Sequence, residues 1–222
     1  MTLAMAGFAV EDMFLKSAGG TLPVAQVMIA FGAGGAIIFS LLARVRGEPV
    51  FLREALGRTM MIRNGFEVTG RLFYTLAIVL TPLSSATAIL QATPIVVVAG
   101  AAIVFKEDVG WRRWTAILVG LVGVLIILRP GADSFTPLSL LAVLGLLGFA
   151  GRDLATRAAP PSLGTFALGV WGFSAIVVAG LVYAPIEGRA FLMPAPTVAA
   201  FLLLAIIFGV VGYAALTLSL IH

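Results

Sequence analysis

Apolar residues run along this chain in eight long stretches, near residues 1–19, 22–43, 60–80, 83–105, 112–130, 136–156, 163–184 and 195–221. Within each stretch the apolar character is continuous, whereas strands of a membrane barrel alternate with period two, so the pattern predicts helices. A helix needs about 20 mainly apolar residues to cross a bilayer, and the stretches have about that length. The fold expected is all-α, a polytopic transmembrane bundle of about eight helices. Helix stoppers separate the stretches: Gly19-Gly20, Gly47-Glu48-Pro49, Thr81-Pro82, Arg129-Pro130-Gly131, Pro160-Pro161 and Pro194-Ala195-Pro196.

Composition strengthens this reading. Of 222 residues 61% are hydrophobic and only 11% charged, and the mean hydropathy is +1.13, outside the range of soluble domains. The net charge of +4 has the sign that nucleic acid attracts, but the basic residues collect in short gaps between apolar runs and do not cluster on one face, so nucleic acid is not expected as a partner. The gap 44–58 carries Arg44, Arg46, Arg53 and Arg58 and is therefore expected to be cytoplasmic. Alternation from there puts the gaps with Lys106, Arg112 and Arg113, and with Arg152 and Arg157, on the same side, and the N-terminus inside. Arg112 and Arg113 with Trp111 and Trp114 suit an anchor in the headgroup layer. With no cysteine and a single terminal histidine, His222, neither a thiolate metal site nor a cofactor is expected.

A weak internal repeat is present. Gly7-Phe8-Ala9-Val10-Glu11-Asp12 aligns with Gly148-Phe149-Ala150-Gly151-Arg152-Asp153 at an offset of 141, and Gly70–Leu80 aligns with Gly212–His222 at 142. Helices one to five (1–131) then form one unit, and helices six to eight (136–222) begin a second. An odd number of helices per unit makes the two units inverted, an architecture of secondary transporters. The expectation is that the second repeat is incomplete: the partner of Gly131 would fall about 51 residues beyond His222, a length of two helices.

Residues 71–131, RLFYTLAIVLTPLSSATAILQATPIVVVAGAAIVFKEDVGWRRWTAILVGLVGVLIILRPG, resemble the EamA-type transporters of the drug/metabolite transporter superfamily. They are similar to that family's third helix, proline-bearing fourth helix, acidic turn at Glu107 and Gly-rich fifth helix. The resemblance implies ten helices in two inverted five-helix repeats around a central cavity, moving metabolites such as amino acids across the bacterial inner membrane. On this reading the chain is expected to depart from the family pattern in lacking helices nine and ten.

Charges within the membrane are costly and face a cavity or a partner. Arg63, Glu67 and Arg71 share one helix face at i, i+4 and i+8. Arg63 is expected to reach the cytoplasmic interface; Arg71 either binds a substrate carboxylate or pairs with Glu67. Glu11 and Asp12 stand about 100° apart on helix one, so one of them is expected to face a cavity, where Glu11 suits proton coupling. Asp12 with Lys16, and Asp153 with Arg157, have the spacing of structural i,i+4 pairs. Pro94 frees the carbonyl of Leu90, so helix four should kink, and Gln91 and Thr93 there either line a substrate path or belong to a packing kink. Tyr74, Trp171 and Tyr213 either line the same cavity or pack the core. The glycines are assigned to helix packing.

These residues favour a secondary exporter of a small polar metabolite, working by alternating access. The partners expected are a small-molecule substrate and the lipid bilayer; homodimerisation is left open. An intramembrane enzyme is disfavoured, since no G-x-S-x-G or H-E-x-x-H occurs. A non-transporting remnant or assembly subunit is the alternative, motivated by the shortened second repeat. Reporter fusions at Ala43 and at Pro160 should both report the cytoplasmic face, and placement on opposite faces overturns the inverted plan.

Overall fold

A computed structural model describes residues 2–51, 53–128, 136–160 and 162–221. The Arg129-Pro130-Gly131 stop, Pro161 and His222 lie outside the described residues. The chain is helical: α1 (Thr2–Gly19), α2 (Val24–Arg46), α3 (Arg58–Leu80), α4 (Leu83–Leu90), α5 (Thr93–Val104), α6 (Trp111–Leu128), α7 (Ser139–Arg157), α8 (Thr165–Glu187) and α9 (Pro196–Ile221), with one 3-10 turn at Arg53–Leu56. Among the described residues the eight apolar runs thus become nine α-helices, because the fourth run is interrupted at Gln91 and Ala92 where a kink is predicted. The Thr93 hydroxyl donates to the freed carbonyl of Leu90 at 2.5 Å, and the segment resumes in a helical direction. Within hydrocarbon that bond replaces what water would supply.

The spans Val24–Arg46, Leu83–Val104 across the break, Ser139–Arg157, Thr165–Glu187 and Pro196–Leu218 are each long and apolar enough to cross a membrane. Of the remaining long helices, α1, α3 and α6, the first two carry buried charges described below. Large apolar side chains such as Ile37, Val45, Ile103, Val122, Leu181 and Leu203 point outward, as a lipid-facing surface requires.

The bundle is built from three long helix pairs, α2 with α8, α3 with α7 and α1 with α9. Small residues set their spacing: a methyl on Gly7 would sit 3.0 Å from Gly212 Cα, and Gly148 lies against the backbone of Gly70 in the same way. These are the glycines that the repeat alignment pairs. Helices α2 and α8 both have 23 residues, and Val24 to Thr165 and Arg46 to Glu187 are both steps of 141.

The ends of α2 and α8 hold one another. Glu187, closing α8, accepts hydrogen bonds from the Val24 and Ala25 backbone N–H groups at 2.8 and 2.9 Å, at the start of α2. Glu48, just beyond α2, accepts from Ala167 N–H at 2.9 Å, at the start of α8. Each carboxylate satisfies orphan donors and meets the positive end of a helix dipole. Gly47 and Gly188 end the two helices with φ of 67° and 62°, a left-handed conformation that turns the chain so that these contacts form. Replacing Glu187 by Ala should cost about 1 kcal/mol, the usual worth of a cap. Glu48→Ala should add a comparable loss independently, read as a fall in melting temperature in detergent; a strictly non-additive pair would show that the ends do not act separately.

Candidate functional site

The charges of α1, α3 and α7 converge in the interior. Glu11 Oε1 accepts from Arg71 Nη1 at 2.6 Å, and Asp12 Oδ2 accepts from the Tyr74 hydroxyl at 2.7 Å. Both carboxylates therefore meet α3, in place of the expected single one facing a cavity: Arg71 and Tyr74 lie three residues apart on the face that α1 crosses. The alternative pairing of Arg71 with Glu67 is not formed. Glu67 is fully buried and takes Arg63 Nη2 at 3.6 Å and Arg152 Nη1 at 3.4 Å.

Two arginines expected near water are buried instead. Arg63, expected at the interface, is 1% exposed; its Nε donates to the Thr156 hydroxyl at 3.0 Å and its Nη2 to the Tyr213 hydroxyl. Arg152, expected in a cytoplasmic gap, is 7% exposed and also binds Asp153 at 2.7 Å. Nor do the i,i+4 pairs form. Lys16 Nζ donates to the carbonyls of Ile78 and Thr81 at 2.7 and 2.9 Å, where the C-terminal carbonyls of α3 outcompete Asp12. Arg157 reaches Glu107 at 3.5 Å, which Arg113 also approaches at 3.9 Å.

Aromatic rings wall the cluster. The Arg71 guanidinium lies 5.2 Å from the Phe31 ring and 5.7 Å from Phe149, while Arg152 lies 4.8 Å from the same Phe149. One ring thus serves two cations. Glu11 Oε2 and Arg71 Nε are buried without hydrogen-bond partners, as is the hydroxyl of Thr75, one turn beyond Arg71. Such orphans are costly inside a protein.

Of the residues singled out from the sequence, Glu11, Asp12, Glu67, Arg71, Tyr74 and Tyr213 come together. Gln91 is exposed at the α4–α5 break and Thr93 half-buried there. Trp171 Nε1 donates to the Val50 carbonyl at 3.1 Å, and its ring borders a groove of about 230 Å³ between α3 and α8, lined also by Asn64, Val68 and Ser174. Sequence reasoning missed Arg63, Arg152, Phe31 and Phe149 as members of the cluster. The repeat held a signal for two of them, since it places Arg152 at the position of Glu11 and Phe149 at that of Phe8.

Removing one member of the buried Glu11–Arg71 pair should cost about 3–5 kcal/mol, because the other charge is left uncompensated. Glu11→Gln should therefore melt well below the parent chain in detergent. Combining Glu11→Leu with Arg71→Met should restore most of the loss, and a double variant as unstable as the single one would show that the pair itself stabilises the bundle.

Residues 1–129 match the model of the EamA-like transporter family. The chain is 30% identical to a pseudopaline exporter of Pseudomonas aeruginosa over 99% of its own length and 76% of that protein. It is 32% identical to an S-adenosylmethionine uptake transporter of Rickettsia bellii over 40% of this chain and 30% of that one, and 40% identical to a riboflavin transporter of Vibrio cholerae over 28% of this chain and 21% of that one. No solved structure matches. The relatives are named as transporters, the apolar helices are those of an integral membrane protein, and the chain belongs to the EamA-like transporter family.

Proposed function

We propose that this protein is a secondary transporter that exports a small, carboxylate-bearing polar metabolite across the bacterial inner membrane, its N-terminus cytoplasmic, by alternating access between two inverted repeats, 1–131 and 136–222. The observation that carries this reading is the sealed Arg71–Glu11 pair, walled by Phe31 and Phe149 and holding unpartnered polar atoms on both residues. A guanidinium binds carboxylates through a planar fork, so a ligand carboxylate competes with Glu11 for Arg71. The displaced Glu11 must then take up a proton or another cation, since a free carboxylate in this interior is costly.

That competition links substrate to a coupling ion. The cluster holds four carboxylates (Glu11, Asp12, Glu67, Asp153) against three guanidiniums (Arg63, Arg71, Arg152), so one further positive charge balances it, and Asp12 with Tyr74 stands beside Glu11 to share it. Tyr74, Glu67 and Tyr213 complete the lining, while Gln91 and Thr93 flank the approach at the broken helix and Trp171 borders the groove on its flank. The export direction is supported by the name of the Pseudomonas relative, which matches nearly the whole chain.

Proteoliposomes loaded in turn with single radiolabelled amino acids, under an imposed pH gradient, test this. Efflux of at least one should respond to the gradient and fall ~10- to 100-fold in the combined Glu11→Leu and Arg71→Met variant, the loss expected for a charge-assisted hydrogen bond. That variant should keep its membrane yield and most of the parent's melting temperature. Undiminished flux in it would remove Arg71 from the site, and absence of flux for every carboxylate tried would remove the reading.

A further inference from the structure

The buried charges sort into two layers along α3. Arg71 with Glu11, and Tyr74 with Asp12, form one. One to two turns toward the 44–58 loop, Glu67 with Arg63, Arg152 and Tyr213 forms the other. Three positions of the layers are related by the repeat: Glu11 to Arg152 is a step of 141, and Glu67 to Gly209 and Arg71 to Tyr213 are steps of 142. A methyl on Gly209 would lie 3.0 Å from Glu11 Oε2, so Gly209 faces Glu11 as Glu67 faces Arg152. The residue types differ at all three positions, and the Glu67–Gly209 difference decides how each layer is held. Gly209 offers no side chain, and Glu11 Oε2 has no partner; the Glu67 carboxylate ties down two guanidiniums.

Tyr213 closes the Glu67 layer. Its hydroxyl accepts from Arg63 and lies 3.5 Å from Glu67 Oε2 and 3.3 Å from the Leu168 carbonyl. Its ring stands edge-on to Phe39 at 5.8 Å and to Phe173 at 5.4 Å. Helices α3, α8 and α9 meet at that hydroxyl, and α7 joins them through Arg152.

We propose that Arg63, Glu67, Arg152 and Tyr213 form a gate closing the path from Arg71 toward the 44–58 side, with the Tyr213 hydroxyl as its latch. This rests on the transporter reading only in placing a path there. A ligand at Arg71 leaves toward that side once Tyr213 parts from Arg63 and Glu67, because these groups span the helices that enclose it. The Glu11–Arg71 layer, lacking a counterpart of Glu67, is held by a single ion pair and is the layer that a ligand itself can open.

The chain contains no cysteine, so Val210→Cys supplies a single thiol, 7% exposed and one turn from Tyr213 on the side of the other layer. Its labelling by a membrane-impermeant methanethiosulfonate is measured in sealed vesicles of each orientation, with and without Tyr213→Phe. Losing a hydrogen bond to a charged group should raise the rate ~10-fold, from the 44–58 face only. An unchanged rate from that face, or an equal rise from both faces, overturns the gate; the latter is what general loosening produces. If Tyr213→Phe fails to reach the membrane, Arg63→Gln removes the donor to the hydroxyl and is read in the same way. One-sided labelling without flux in any transport assay would sink the transporter reading and leave the gate standing.

Discussion

A charge within hydrocarbon has no water to turn to, so its counter-charge must come from the protein. In this chain that requirement decides which helices touch. Glu67 on α3 needs Arg152 from α7, Glu11 on α1 needs Arg71 from α3, and Arg63 needs the hydroxyls of α7 and α9. Apolar packing alone does not select partners in a membrane, because lipid tails are as apolar as leucine. The buried ions and the glycine contacts between Gly7 and Gly212 and between Gly148 and Gly70 supply that selection, the first through charge and the second through close approach.

The helix-end contacts extend the same logic to the membrane surfaces. Glu48 and Glu187 bring full charges to the partial charges of helix starts, and Lys16 does the converse at the end of α3. Each contact joins elements far apart in sequence. A bundle whose core is largely Phe, Val, Leu and Ala thus acquires a defined register from a small number of polar contacts, most of them satisfied by backbone groups that any helix end exposes.

The helices were legible because membrane thickness imposes a length that hydropathy reports directly. Their partners were less so. In the apolar run from Leu83 to Val104, Pro94 signalled a kink but not a full split into two helices, because the extent of the break depends on whether the Leu90 carbonyl finds a local donor, which Thr93 provides. Arg63 and Arg152 were misread for one reason: each stands near a span end, where topology rules count positive charge and assume that it reaches water. What buries them is Glu67, Tyr213 and Thr156, contributed by other turns and other helices. Glu11, Asp12, Arg71 and Tyr74 were visible as isolated polar positions in apolar runs, but the pairing of Glu11 with Arg71 depends on how α1 crosses α3, which spacing along one helix does not encode. Lys16 shows the same limit, since i,i+4 spacing from Asp12 yielded to carbonyls sixty residues away.

The order in which the paired charges are synthesised bears on how the chain enters the bilayer. Glu11 and Arg71 are separated by only 60 residues, so both are synthesised before α4, and each can neutralise the other as soon as α3 leaves the insertion machinery. Glu67 has Arg63 four residues before it, whereas Arg152 follows it by 85 residues. The nascent first half therefore carries its own neutralising groups, and α7 arrives with a cation for an acid that already has a partner. Insertion need not stall with a bare carboxylate in the lipid, although the finished arrangement draws on helices from the whole length of the chain.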